Sequence, residues 1–318
     1  MSSNLQILSD FIVQTKFGLY CKYGNFYLDP KVPVAEAVIS HAHGDHAIAG
    51  HQNVYATLPT VHFMQYRFKP IAAANFNVKT YKSAFVLNGV QITFFAAGHI
   101  LGSALVMMEF NGVKYLYTGD YKLQEDATCE PIELVSADVL ITETTFANPD
   151  TEHPNVADEI QKFNHVSTNI ILGAYALGKS QRLIQLLNQH CPNKRILVHH
   201  GIMPLNKIYE QLGINLGNYE VYDRKVMKNN PENLIYIVPP MVFNSNIKFL
   251  NVVKVFATGW KNLQNNNQLQ LYISDHVDWK AILKTIAVVT PKEVWTTHGS
   301  GVQLQNHFGV KLAVKLLN

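Results

Sequence analysis

Four potential metal donors fall within six residues of the segment ISHAHGDHA: His41, His43, Asp45 and His46, separated by the small residues Ala42 and Gly44. Neutral imidazoles and a carboxylate suit borderline divalent cations, and so many polar side chains beside the apolar run VAEAVIS are hard to reconcile with core packing. That run reads as a strand ending at the first histidine, with His41 and His43 on one side of a loop while Asp45 and His46 open a following helix. Three later positions extend the set. His99 in AAGHILGSA lies between two strand-like runs, Asp120 in YLYTGDYK follows a buried-looking strand, and His298 in VWTTHGSG follows another. Each alone is compatible with an ordinary turn; the repeated order of strand, donor and glycine argues for one shared centre, with the Asp120 carboxylate a natural bridge between two cations. Asp29 in FYLDP also ends a strand, where orienting a ligand histidine competes with capping a turn.

Two kinds of chain rhythm must position these residues. From residue 12 to about 147 the runs FIVQTK, GNFYLDP, AEAVIS, GVQITFFAAG, SALVMMEF, VKYLYTG and ADVLITE have the β-branched and aromatic content of strands, and LPTVHFMQYRF at 58–68 reads as a helix. Two sheets with outer helices fit that mixture. Beyond residue 154 helix-like and strand-like runs alternate (NVADEIQKFNHV, NIILGAY, KSQRLIQLLNQH, KRILVHH, PLNKIYEQLG, LIYIVPP), which predicts a small, largely parallel sheet. The division expected is a first domain at 1–154, an inserted α/β domain at 155–258, and a return to the first domain at 259–318 through LQLYISD, a helix around VDWKAILKTIA and the strand KEVWTTHG.

Composition narrows the class. Of 318 residues, 47% are hydrophobic and 15% charged, which excludes a disordered or fibrous chain. The net charge of +3 is far below that of a non-specific duplex binder, so any nucleic-acid contact must rest on local sites. The three cysteines, Cys21, Cys129 and Cys191, are too widely spaced for a thiolate zinc knot. No basic leader precedes a long apolar run and no 18-residue apolar stretch occurs, so a cytoplasmic protein without a membrane segment is expected.

The HAHGDH run, His99 in AGHILGSA, Asp120 in TGDY and the late His298 resemble the metal motifs of the metallo-β-lactamase fold; Glu143 in ITETTF and His276 in SDHVDW resemble motifs of its nuclease branch, which holds RNA 3′-end processing endonucleases and DNA cross-link repair exonucleases. The ordered series GLYCKYGNFYLDP, HAHGDHA, AGHILGSA, GDYK, ETTFANP, AYALGKSQR, ATGW, SDHVDW and THG is most similar to the bacterial ligase-associated DNA exonucleases, over nearly the whole chain. The resemblance implies an αββα sandwich with a short inserted domain like a reduced β-CASP domain. It also implies two divalent metal ions, zinc or manganese with iron a further option: one held by His41, His43 and His99, the other by Asp45, His46 and His298, and Asp120 bridging. Tyr115 and Tyr117 would be strand residues and not ligands. Glu143 would stand behind His276, and His276 would face the leaving group of the phosphate. The inserted domain, about a hundred residues, is shorter than in many RNA-processing relatives.

The chemistry expected is phosphodiester hydrolysis by a hydroxide bridging the two metals, with Asp45 and Asp120 among its carboxylates, His276 protonating the leaving oxygen and Glu143 favouring the charged imidazole. In AYALGKSQR, Gly178 opens a helix whose free N–H groups, with Ser180, Lys179 and Arg182, could hold a backbone phosphate while Tyr175 offers a stacking face. The run GAYALGKS from Gly173 formally matches a nucleotide phosphate loop, but it lacks that motif's setting. The main reading is a DNA exonuclease in DNA repair, with a working link to an ATP-dependent DNA ligase and a helicase. The alternatives are an RNA 3′-end processing endonuclease or exonuclease, a lactam or thioester hydrolase, and a non-catalytic scaffold.

Overall fold

The computed structural model describes residues 6–225, 233–245, 252–265 and 267–317. The chain divides into two compact units, the first formed by Met1–Glu125, Glu130–Glu152 and His276–Asn318, the second by Asp126–Cys129 and His153–Asp275.

The first unit holds two mixed sheets. One runs in the order β1 (Ile12–Thr15), β2 (Gly18–Cys21), β3 (Phe26–Leu28), β4 (Glu36–Val38), β5 (His51–Ala56), β6 (Ala73–Val78), antiparallel as far as β3 and parallel from there on. In the other, β7 (Phe85–Leu87), β8 (Val90–Ala96), β9 (Ala104–Phe110) and β10 (Val113–Tyr117) are antiparallel neighbours, and β10 continues in parallel to β11 (Val139–Glu143), β17 (Glu293–Thr297) and β18 (Ala313–Leu316). Side-chain alternation builds the layers. Val106, Met108, Tyr115, Tyr117, Val139 and Ile141 face Phe11, Ile12, Leu19, Phe26 and Leu28 in a core between the sheets. The intervening Leu105, Met107, Leu116 and Leu140 face outward onto Trp279, Ile282 and Ile286 of the helix Trp279–Val289 and onto Leu304. On the far side Ala37, Ile39, Val54 and Ala56 pack on Val61 and Met64 of the helix Leu58–Phe68. The result is the αββα order of layers the resemblance implied.

The second unit is built on one parallel sheet, β14 (Glu220–Val221), β13 (Arg195–Val198), β15 (Leu234–Val238), β12 (Asn169–Gly173), β16 (Val252–Phe256). Its central strands β12 and β15 are buried along their whole length, as their continuous apolar runs require. Two details differ from the sequence reading. The residues from 259 to 275 group with this unit, because the buried Gln264 side chain donates to the carbonyls of Thr258 and Leu271 and the Tyr272 amide donates to Glu159. LQLYISD accordingly forms no strand. Nor does a helix follow His43; the chain closes one turn, with the amides of His46 and Ala47 donating to the His43 carbonyl, and moves on. No helix among the described residues is long and apolar enough to cross a membrane.

Candidate metal centre

Strand direction explains why distant donors meet. β8 and β10 are both antiparallel to β9 and so run the same way, and β10, β11 and β17 are parallel. His99, Asp120, Glu143 and His298 therefore all leave the carboxyl ends of strands on one edge of one sheet, and His41 follows the carboxyl end of β4 in the other. Loops at such strand ends carry chemistry on a rigid frame. Gly119 lets the Asp120 loop close up: at φ +53° a Cβ there would lie 2.6 Å from Ser40 Oγ.

The donors form two overlapping groups. His41, His43, His99 and Asp120 have donor atoms within 4.8 Å of one another, and so do His46, Asp120 and His298. In the first, His43 Nδ1 lies 3.2 Å from His41 Nε2 and 3.0 Å from His99 Nε2, while Asp120 Oδ2 is 3.7 Å from His41 Nε2 and 3.9 Å from His99 Nε2. In the second, Asp120 Oδ2 lies 3.3 Å from His46 Nε2, and the His46 and His298 rings stack with centroids 4.9 Å apart. Asp120 is the member common to both. Asp45 stands apart: its side chain is 74% exposed and its carboxylate is 3.7 Å from His46 Nε2, outside either group.

The carboxylate of Asp29 decides which histidine nitrogens face inward. Its Oδ1 accepts from the Ser40 amide at 2.7 Å; its Oδ2 accepts from Ser40 Oγ at 2.5 Å, Tyr117 Oη at 2.9 Å and His46 Nδ1 at 2.8 Å. Ser40 has thus committed its hydroxyl proton, and the 3.0 Å contact between Ser40 Oγ and His41 Nδ1 requires the histidine to donate. His41 carries its proton on Nδ1 and turns an Nε2 lone pair toward Asp120; His46 donates its Nδ1 proton to Asp29 and faces Asp120 through Nε2, where a cation would displace a second proton. Lone pairs and a carboxylate converging in a buried space fit a divalent cation, and the all nitrogen and oxygen donor set suits one.

Protonation follows the same geometry. Burial, then the neighbouring His46 and His99, holds the His41 imidazole well below its ordinary pKa. Burial pulls His46 the same way, but the carboxylates of Asp120 and Asp29 outweigh it and raise its pKa well above the ordinary value. Asp120 is correspondingly held well below the carboxylate range, its burial overcome by His46, His276 and His41. The Tyr117 phenol is pushed well up by burial and by Asp29, so it stays a donor.

A carboxylate–imidazole pair flanks the two groups. Glu143, fully buried, meets His276 Nδ1 at 2.9 and 3.1 Å, and His276 Nδ1 lies 3.8 Å from Asp120 Oδ2. The Tyr121 amide and the Thr145 hydroxyl donate to the remaining capacity of Glu143. A cavity of about 350 Å³ opens beside the second group, lined in part by Asp29, Asp45, Tyr117, Thr297 and His298.

The residues expected to hold a phosphate lie in the second unit, and only Tyr175, 59% exposed, presents its side chain to solvent. Gly178 is the N-cap of the helix Lys179–His190, and its amide is taken by the Gln181 side chain. Ser180 Oγ donates to the Tyr175 carbonyl. Lys179 and Arg182 are buried and both pair with Asp275, at 3.1 and 2.8 Å. Their charges are thus engaged inside the unit, where the motif had led us to expect them at its surface. Three contributors went unnoticed in the sequence. Ser40 and the Tyr117 hydroxyl orient the histidines through Asp29, and buried Lys122 donates to the His99 carbonyl at 2.5 Å. The alternation of YLYTGD puts Tyr115 and Tyr117 on one face; nothing local says that Tyr117 meets Asp29.

No protein-family model matches the chain. It is 29% identical over 307 residues to a probable DNA ligase of Opitutus terrae, covering 90% of this chain and 29% of that protein. It is 31% identical over 132 residues to endoribonuclease YSH1 of Kluyveromyces lactis (39% of this chain, 17% of that one), and 29% identical over 192 residues to an RNase J-like protein of Methanocaldococcus jannaschii (51% and 46%). The chain spans less than half the length of each. Among solved structures, a protein of unknown function from Enterococcus faecalis V583 superposes with a TM-score of 0.59 at 13% identity, covering 89% of this chain and 79% of that one, which is a likeness of fold. The layered sandwich, the mixed sheets and the two histidine–aspartate groups are consistent with the metallo-β-lactamase/β-CASP fold, and in sequence the chain is similar to proteins named as a probable DNA ligase, an endoribonuclease and an RNase J-like protein.

Proposed function

We propose that this chain is a metal-dependent phosphodiesterase that cleaves nucleic acid. The observation that carries the reading is the placement of the Glu143–His276 pair against Asp120, the residue shared by both donor groups. His41, His43, His99 and Asp120 would hold one cation and His46, Asp120 and His298 the other, with zinc, manganese or iron compatible with the donors. Cations bound there would supply Lewis-acid neutralisation of a phosphate and an activated water at neutral pH. The chain's own residues do the rest. Asp29 and Ser40 keep the Nε2 atoms of His41 and His46 inward, and burial keeps bulk water from His41, His46, His99 and Asp120. Glu143 holds His276 Nδ1, so Nε2 is the atom that hands a proton to the departing oxygen. Replacing His276 with Ala is expected to lower kcat by about 10²–10⁴-fold, the range of general acid–base catalysis, while two metals per chain remain. Loss of metal from a folded H276A protein would make His276 a ligand and remove the acid from the scheme.

For the substrate, the relatives carrying endoribonuclease and RNase J-like names favour RNA, against the sequence-based expectation of DNA. DNA is the second reading, favoured by the match to a probable DNA ligase along 90% of this chain; a working link with a ligase rests on that match alone. Singly end-labelled RNA and DNA of the same sequence, with circular DNA beside them in a Mn²⁺ and Zn²⁺ series, would separate the substrates and show end dependence. Cleavage of DNA with RNA untouched would overturn the RNA reading.

A further inference from the structure

The cavity of about 350 Å³ beside the His46, Asp120 and His298 group has a rim that the proposed chemistry leaves unused, and every residue that lines it belongs to the first unit. The buried Leu19, Leu28 and Tyr117 form its inner wall. Gln14, Lys31 and Asp45 are exposed and so stand where it meets solvent. The rim is fixed through its backbone. β1 and β2 join in a tight turn at Lys16 and Phe17, where Thr15 Oγ1 accepts from the Phe17 amide and donates to the Gly18 carbonyl. That turn is tied to the chain that leaves β3. The Lys31 amide donates to the Phe17 carbonyl at 2.8 Å, and Gly18, at φ +121°, lies so close that an added Cβ would be 3.2 Å from Pro30 Cα. The backbone of Lys31 is thus held in place, while its amine forms no ion pair among the described residues.

We propose that this cavity is a subsite for one nucleotide of the substrate strand, and that Lys31 takes the phosphate on its outer side. This rests on the reading of the donor groups as a nuclease centre. Pockets for small molecules begin at about 300 Å³, so the space admits one nucleoside. Leu19 and Leu28 give it apolar surface for a base or sugar, and the polar groups around them are few, as in pockets that orient a ligand by a handful of contacts. With the scissile phosphate at the donor groups, the neighbouring phosphate of the same strand emerges at the rim. Asp45 lies toward His46, 3.7 Å from its Nε2, and disfavours an anion on that side. Lys31 is the rim's cation, a compact charge on a flexible stem that suits a phosphate oxygen. A base inside the cavity is necessarily unpaired, so the strand is single there.

The test compares uridine 3′,5′-bisphosphate with the 3′- and the 5′-monophosphate by calorimetry on the full, Zn²⁺-loaded chain, in salt high enough to screen distant charges. The variants are Lys31→Met, the conservative Lys31→Arg, and Lys16→Met as a control, since Lys16 is exposed on the same turn and does not line the cavity. Each is checked for fold by circular dichroism and for metal content, which should not change. We expect the unaltered chain to bind the bisphosphate about tenfold more tightly than either monophosphate, the worth of one charge-assisted hydrogen bond. K31M should reduce that preference below twofold, while K31R and K16M keep it. On a single-stranded oligonucleotide K31M should raise KM about tenfold with kcat within twofold. Equal binding of all three nucleotides by the unaltered chain, or a preference that survives in K31M, would overturn the subsite. So would its loss in K16M, which would mark a general field of the turn. Should the unaltered chain cleave no nucleic acid, the proposed function fails, and the bisphosphate preference still judges the subsite.

Discussion

Replacing Asp29 with Asn tests how the centre is wired, because it removes one charge while hardly changing shape. One oxygen can stay opposite the Ser40 amide, which places the new NH₂ group where Oδ2 now receives Ser40 Oγ, Tyr117 Oη and His46 Nδ1. The two hydroxyls can rotate and accept; the His46 N–H cannot. Either it stays unsatisfied, at a cost of about 1–3 kcal/mol for a buried donor, or the ring changes tautomer and carries its proton on Nε2, 3.3 Å from Asp120 and in the place of the metal-facing lone pair. Loss of such a supporting partner lowers metal affinity about 10–100-fold, or about 1.4–2.7 kcal/mol. A second effect opposes the first. Asp29 is one of the carboxylates that raise the His46 pKa, so Asn also weakens the proton that competes with metal. Below the raised pKa, affinity in the unaltered protein should climb about tenfold per pH unit, and D29N should climb less steeply. The two proteins should therefore differ least at low pH and by the full 10–100-fold at high pH. Calorimetric Mn²⁺ titrations from pH 6 to 9 would measure this, with H298A marking which of two binding steps belongs to the His46 group. Equal affinities at pH 9 would refute the idea that Asp29 sets the tautomer.

Two further perturbations reach other parts of the first unit. His51 is buried, accepts from the Val34 amide through Nδ1, and has its pKa pushed down by burial to about 4. Between about pH 6.5 and 4 the unfolded chain binds the proton that the folded chain refuses. Stability is therefore complete above pH 6.5 and falls toward pH 4, by at most about 3 kcal/mol; urea unfolding of His51→Asn against pH should lack that part of the acid slope. At Gly119, Ala would bring a Cβ to 2.6 Å from Ser40 Oγ on a backbone with φ +53°. It should cost about 1–3 kcal/mol and, by shifting the loop, lose metal shared through Asp120, measured as a thermal midpoint and a metal-to-chain ratio. An unchanged ratio would show that the loop absorbs the strain elsewhere.

What the sequence made legible was local. The HAHGDH spacing and the position of His99, Asp120 and His298 after apolar runs follow from donor chemistry and strand periodicity, both readable within a dozen residues. Their convergence depends on strand direction: β8, β10, β11 and β17 point one way only because β9 reverses between β8 and β10 and a parallel crossover brings β17 beside β11. No local pattern carries that order, so the shared edge rested on resemblance until the sheet was seen. The missing helix after His43 has a related cause, since the His46 ring is held by Asp29 seventeen residues upstream, and a tertiary hydrogen bond overrides local propensity.

The charged helix start at Gly178 shows why a motif alone misleads. A glycine followed by Lys179, Ser180 and Arg182 has the right chemistry for a phosphate, and it has the same chemistry for any other anionic or carbonyl group that the fold delivers. Arg182 finds Asp275, 93 residues away in sequence, and Lys179 finds the same carboxylate. Whether a cation awaits a ligand or already has one is a matter of tertiary contact, and burial is the observation that separates the two. Lys179 at 5% and Arg182 at 2% exposure are spent within the unit, while Tyr175 at 59% is not. The same criterion sorts the metal donors. His41 and His46 are buried with their Nδ1 protons committed to Ser40 and Asp29, which leaves one ring nitrogen on each and one direction for it to face. A side chain with its alternatives removed in this way is prepared for a single partner, and for each of these two rings that partner is a cation beside Asp120.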